Sequence, residues 1–219
     1  LPVRASETEV PIALITPALW AVSNHLDKYL VSHYLKRLGI GAFLFTPSFL
    51  ALLILPVIAI FHPAVLGIEA RYLVYLIGSG ALFTFYLIPY FKALEKDEAS
   101  VIAPMFQMIP IIGYILGLSF LNEALTGRQI LAGLIILTAS LGISIDARSG
   151  IKIKKDVFVL MLLCSSLYAV GALIFKFGAV NSNYWAAIFW ELVGMVATAL
   201  FLLFFSRFRR QLVYLVNFQ

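Results

Sequence analysis

Few residues of this 219-residue chain can do chemistry, and those few lie inside or beside long apolar runs. Glu191 is the most informative acid. The run that holds it begins near Tyr184, so at about 1.5 Å per helical residue its carboxylate sits roughly 10 Å inside a bilayer. An ionised carboxylate there costs about 2.5 kcal/mol or more unless it is paired or wet. Lys176, near the end of the preceding run and on the same side, allows a structural Lys176–Glu191 ion pair; the other reading is a titrating group that moves a proton. Asn24, Tyr86 and Gln107 form a second set. Counted from the ends of their runs, Asn24 and Tyr86 lie roughly 21 Å from one side and Gln107 roughly 9 Å from the other, which in a core about 30 Å thick is one layer. Two roles are open to that layer: hydrogen-bonding a polar solute, with Trp20 and Tyr168 nearer the midplane as stacking walls, or bonding one another to hold helices together, at about 0.6 kcal/mol per pair.

The remaining reactive types point nowhere specific. The single cysteine, Cys164, lies in an apolar run, which excludes an intrachain disulfide and a cysteine metal cluster. His25, His33 and His62 form no metal-ligand pattern, and no metal or other cofactor is expected. There is no nucleophile beside a base and no Gly-rich phosphate loop before a helix, so neither an enzyme nor an ATP-driven pump is expected. Lys28, beside Asp27, is placed to snorkel to the interface. Lys92 to Glu98 form a charge run that reads as a solvated turn. Gly113 and Gly117 make a GxxxG pair, a spacing that lets another helix approach closely.

The elements that must position these residues are membrane helices. The chain is 62% hydrophobic and 12% charged, about half the usual charge of a soluble domain, with a mean hydropathy of +0.99. Seven apolar segments of near-spanning length can be counted, at about 10–30, 42–61, 72–91, 101–121, 130–145, 157–180 and 184–205, and in lipid each must be helical. Net charge is +5. The basic residues fall between the apolar runs, so they read as topology anchors and not as a nucleic-acid surface. Arg4, Arg71, Arg128 and Lys176 lie on one side and the other twelve Lys and Arg on the opposite one, which puts the N-terminus outside by the positive-inside rule. No signal peptide is visible. Seven prolines, Pro104 and Pro110 among them, fall in the first four runs. Interior prolines free backbone carbonyls that neighbouring helices or water must satisfy, which favours a central cavity.

Residues recur at an offset of 148. Leu14, Leu19, Ala21, Val22 and Lys28 return as Leu162, Leu167, Ala169, Val170 and Lys176, and Trp20 is answered by Tyr168. Five helices separate equivalent points, so the second copy must enter the membrane inverted. The predicted fold is an all-α polytopic bundle of about seven spans. Residues 1–148 form a first five-helix repeat, and 149–219 start a second, incomplete one in which 206–219 is a basic loop or an amphipathic interfacial helix.

Tyr90 and Ala93-Leu94 close one helix, Glu98-Ala99-Ser100-Val101-Ile102-Ala103-Pro104 opens the next with Pro110 inside it, and Leu121-Asn122-Glu123-Ala124-Leu125-Thr126-Gly127-Arg128-Gln129 leads on to Gly133. This pattern resembles the EamA-type repeat of the drug/metabolite transporter superfamily, over helices one to five and fading after about Val180. Glu123, with Thr126 and Arg128, matches the family's motif, and its carboxylate is expected to cap helix five. The resemblance implies a multi-pass transporter of the cell membrane that moves a small organic metabolite or drug by alternating access. It also implies both termini in the cytoplasm, against the charge count. A small-molecule substrate and the bilayer are the expected partners, with a second copy of the chain as a candidate. The competing class is a membrane scaffold or complex subunit that carries nothing.

Overall fold

A computed structural model describes residues 9–122, 124–144 and 154–216; Glu123, and with it the capping role read for its carboxylate, lies outside them. The described residues form helices and turns alone: α1 (Glu9–Leu38), α2 (Ile40–Phe61), a 3-10 turn (Pro63–Leu66), α3 (Ala70–Phe85), α4 (Leu87–Lys96), α5 (Ala99–Met105), α6 (Met108–Leu121), α7 (Gly127–Ser144), α8 (Lys155–Ala179), α9 (Tyr184–Leu202) and α10 (Ser206–Val216). Five stretches are long and apolar enough to cross a bilayer: Ile40–Phe61, Ala70–Lys96, Ala99–Leu121, Lys155–Ala179 and Tyr184–Leu202. The third and fourth predicted spans are thus each two consecutive pieces, α3 with α4 and α5 with α6. α1 runs eight residues beyond the expected end at Leu30, because nothing in its sequence stops a helix before Gly39, whose φ of 79° favours glycine. The apolar surface faces outward, with Ile60, Phe61, Val74 and Phe204 each at least 71% exposed, as lipid-facing helices require.

The helix ends follow from local chemistry. Thr126 and Gln129 form a reciprocal cap at the start of α7: the Thr126 N–H donates to Gln129 Oε1 at 2.8 Å, and the Gln129 N–H reaches Thr126 Oγ1 at 3.4 Å. α6 ends on Asn122 in the left-handed conformation. Asn183 Oδ1 caps α9 by accepting from the Ala186 N–H at 2.7 Å. α2 has no cap of its own. Its Gly41 N–H is satisfied across the fold by Gln211 Oε1 of α10 at 2.8 Å, so 206–216 is a docked helix, with Phe208 and Leu212 on the Leu44–Leu202 cluster.

α3 and α9 make the tightest packing of the bundle. α3 packs between α8 and α9, and α9 also packs along α2. Small residues allow this. A Cβ on Gly80 would run into the Glu191 carbonyl and stand 2.8 Å from the Met195 nitrogen, and one on Gly194 would run into the backbone of Ile77. On the other flank, a Cβ at Gly178 would stand 2.7 Å from the Leu76 side chain. The GxxxG pair on α6 does not do this. No atom lies within 4 Å of where a Cβ on Gly113 or Gly117 would sit, so among the described residues the close approach read from that spacing is not made; α6 packs on α8 through other positions.

At one end of the bundle the charge run is tied down. Lys28 of α1 donates to the carbonyls of Leu94 and Asp97 at 2.9 and 2.8 Å, which caps the C-terminus of α4 with a cation. Lys96 pairs with Asp156, and Lys154 lies 3.6 Å from Asp97. Lys28 thus reaches this charged end of the bundle and binds the carbonyls there, and the turn, whose Lys92, Glu95, Lys96 and Glu98 are exposed as expected, is also tied to the start of α8.

Gly80→Ala and Gly194→Ala should each cost about 2 kcal/mol, the scale of overpacking a tight contact, whereas Gly113→Ala should change stability by less than about 0.5 kcal/mol. Thermal unfolding of the purified variants in one detergent checks the contrast.

Candidate functional site

The two broken spans create the site. Proline has no N–H to give the carbonyl four residues before it. Pro89 thereby deprives Phe85 and Pro110 deprives Phe106. α3 ends at Phe85, and α5 gives way to α6 at Phe106 and Gln107, where the N–H groups of Phe106, Gln107 and Ile109 bond three residues back instead of four. Tyr86 and Gln107, chosen from sequence by depth, each sit in a break three residues before a proline.

Two cavities flank these breaks. The first, of about 840 Å³, lies among α1, α2, α3 with α4, α8 and α9 and is lined by Asp27, Tyr86, Tyr168 and Glu191 within a mostly aromatic and aliphatic wall. The second, of about 780 Å³, lies among α1, α5 with α6, and α8, and is lined by Trp20, Asn24, Pro104, Gln107, Pro110 and Tyr168. Tyr168 belongs to both walls. Its ring meets Tyr86 edge-on at 5.2 Å and Phe83 at 4.8 Å, an arrangement aromatic quadrupoles favour. Trp20 packs on Phe106 at 5.5 Å.

The layer expected of Asn24, Tyr86 and Gln107 is therefore divided. Asn24 and Gln107 face the second cavity and Tyr86 the first, with Tyr168 between them. Pro104 and Pro110 both reach a cavity wall. Glu191 is half-buried on the first cavity with Ser79 of α3 against it, while Lys176 is exposed and lines neither cavity. Among the described residues no three His, Cys, Asp or Glu side chains come together to hold a metal ion.

Asp27 and Tyr90 were not anticipated as a pair. The Tyr90 hydroxyl lies 3.1 Å from Asn24 Oδ1 and 3.0 Å from Asp27 Oδ2, so one phenolic proton is shared between two acceptors. The signal was in the spacing. Asn24, Asp27 and Lys28 at i, i+3 and i+4 share one face of α1, opposite Tyr86 and Tyr90 at i and i+4. That face binds Tyr90 through Asn24 and Asp27, and the end of α4 through Lys28.

The model of the EamA-like transporter family matches residues 8–145. The chain belongs to this family. It is a member of the drug/metabolite transporter superfamily and a multi-pass membrane protein. Neither the curated proteins nor the solved structures contain a match to it. The EamA-like stretch covers α1 to α7; α8 and α9 follow it, and they bring Tyr168 and Glu191 to the cavities.

Tyr90→Phe removes the hydroxyl that donates to Asn24 and Asp27 and should destabilise the protein by about 0.6 to 1.7 kcal/mol, the range for hydrogen bonds between membrane helices. Asn24→Ala in the same background should then add little, which a double-mutant cycle of thermal stabilities reads directly.

Proposed function

We propose that this EamA-like protein is a secondary transporter that carries a small organic molecule across the cell membrane by alternating access, with the two cavities as stations on its path. The observation that carries this reading is Tyr168, one side chain that forms part of both walls between chambers of about 840 and 780 Å³. Volumes of that size suit small organic ligands. Trp20 and Tyr168, equivalent under the 148-residue offset, lie on one cavity, which supports an inverted repeat built around a shared site. Helices broken beside the cavity also fit, because discontinuous helices are a common way to build substrate sites in such transporters. On this reading residues 1–148 are one repeat and the residues after them begin its inverted counterpart.

Reconstituted protein loaded with a mixed pool of amino acids, nucleosides, sugars and amphipathic drugs should release one compound class selectively under an imposed proton gradient, as measured by mass spectrometry against empty liposomes. Gln107→Leu should weaken apparent affinity for that class by about tenfold, equivalent to about 1.4 kcal/mol. Absence of release above empty liposomes from folded protein would move the assignment to a membrane scaffold.

A further inference from the structure

The first cavity has an uneven chemical lining. Asp27 enters it from α1 and Glu191 from α9, and among the described residues no Lys, Arg or His lines it. The basic residue nearest in sequence, Lys28, is committed elsewhere, with its ammonium on the carbonyls of Leu94 and Asp97. Tyr90 donates its single proton toward Asp27 and Asn24 together, which orients the Asp27 carboxyl without neutralising it. The rest of the wall is rich in rings, including Phe43, Phe83, Tyr86, Phe91, Tyr168 and Phe175.

Each part of this lining favours one class of ligand. Aromatic faces attract cations, by about 0.5 kcal/mol at exposed sites and about 2 kcal/mol when desolvated, and they are the usual cage for quaternary ammonium groups. A carboxylate at membrane depth is costly to keep ionised, and a ligand cation beside it compensates that cost. An anionic ligand would meet two carboxyls and, among the described residues, no positive side chain. A bare metal ion would need a close oxygen cage, whereas about 840 Å³ of largely apolar wall suits an organic body.

We propose that this cavity binds an organic ammonium cation, its charge held between Asp27 and Glu191 and its apolar part against the rings. The transport reading enters only in making that cation a carried solute, so binding and flux are measured apart.

Benzyltrimethylammonium is the probe, compared with neutral N,N-dimethylbenzamide and anionic benzylsulfonate. Binding is measured on the purified protein in nanodiscs by titration calorimetry. The cation should bind at least about tenfold more tightly than either control. Glu191→Gln and Asp27→Asn should each lose about tenfold in affinity for it, and Glu191→Asp should keep most of it; Asn at 27 retains an acceptor for Tyr90, and size-exclusion profiles verify folding. Equal binding of the neutral amide, or full affinity in both carboxamide variants, would overturn the inference. Flux of the same probe in proteoliposomes separates the two readings. A cation that binds and does not cross, with no release from the mixed pool either, leaves the site standing and removes the transport reading. Selective flux of neutral or anionic solutes without cation binding does the reverse.

Discussion

The contact on which the rest depends is the backbone crossing of α3 and α9 at Gly80 and Gly194. Lipid offers helices no hydrophobic reward for associating, so they must gain from close packing and from hydrogen bonds. Two glycines facing each other's backbone give the closest packing available. The crossing also sets function, because Glu191 is one turn from Gly194 and its carbonyl is what a Cβ on Gly80 would strike. A wider separation would draw that carboxylate out of the wall it shares with Tyr86 and Tyr168.

With α9 fixed against α3, the break after Phe85 acquires its meaning. A straight helix would present a continuous ridge to α8. The interruption at Tyr86, together with the one at Phe106 and Gln107, leaves room on both sides of the Tyr168 ring. Prolines three residues downstream produce the two breaks by the same chemistry, a missing N–H in each. Pro47 and Pro56 lie within α2, which stays continuous, so a proline alone does not decide whether a helix divides; the packing around it does.

The opposite requirement, rigidity, is met at the end of the bundle that carries Lys28, Lys96, Asp97, Lys154 and Asp156. Carbonyls at the C-terminus of α4 need donors, and an ammonium from α1 supplies them. α10 does the equivalent for α2 by lending Gln211 to the Gly41 N–H. Polar groups at helix ends are thus paired between elements, α1 with α4 and α4 with α8, and α2 with α10.

How much of this was legible beforehand differs by kind of residue. Apolar runs gave five of the seven expected spans among the described residues, since a membrane demands about 20 residues of uncharged helix whatever the partners, but the prolines, spread over the first four runs, did not distinguish the two helices that divide from α1 and α2, which do not. Depth counting, which uses only the rise per residue, singled out Tyr86, Gln107 and Glu191 as candidates, and each lines one of the two cavities. Direction around the helix axis was out of its reach: Asn24 and Tyr86 face different cavities, and nothing in the sequence says that Lys28 meets the end of α4. The glycine spacing on α6 was read for a contact that Gly80 and Gly194 make, since any one helix shows only that it could be approached. The sequence by itself determined that this is a helical membrane protein of the EamA-like family, with breaks and polar groups at given depths. Only the tertiary structure decided which groups meet, such as Asp27 with Tyr90 and Glu191 with the ring of Tyr168 on one wall, because that depends on helix rotation and crossing, set by packing between segments far apart in the chain.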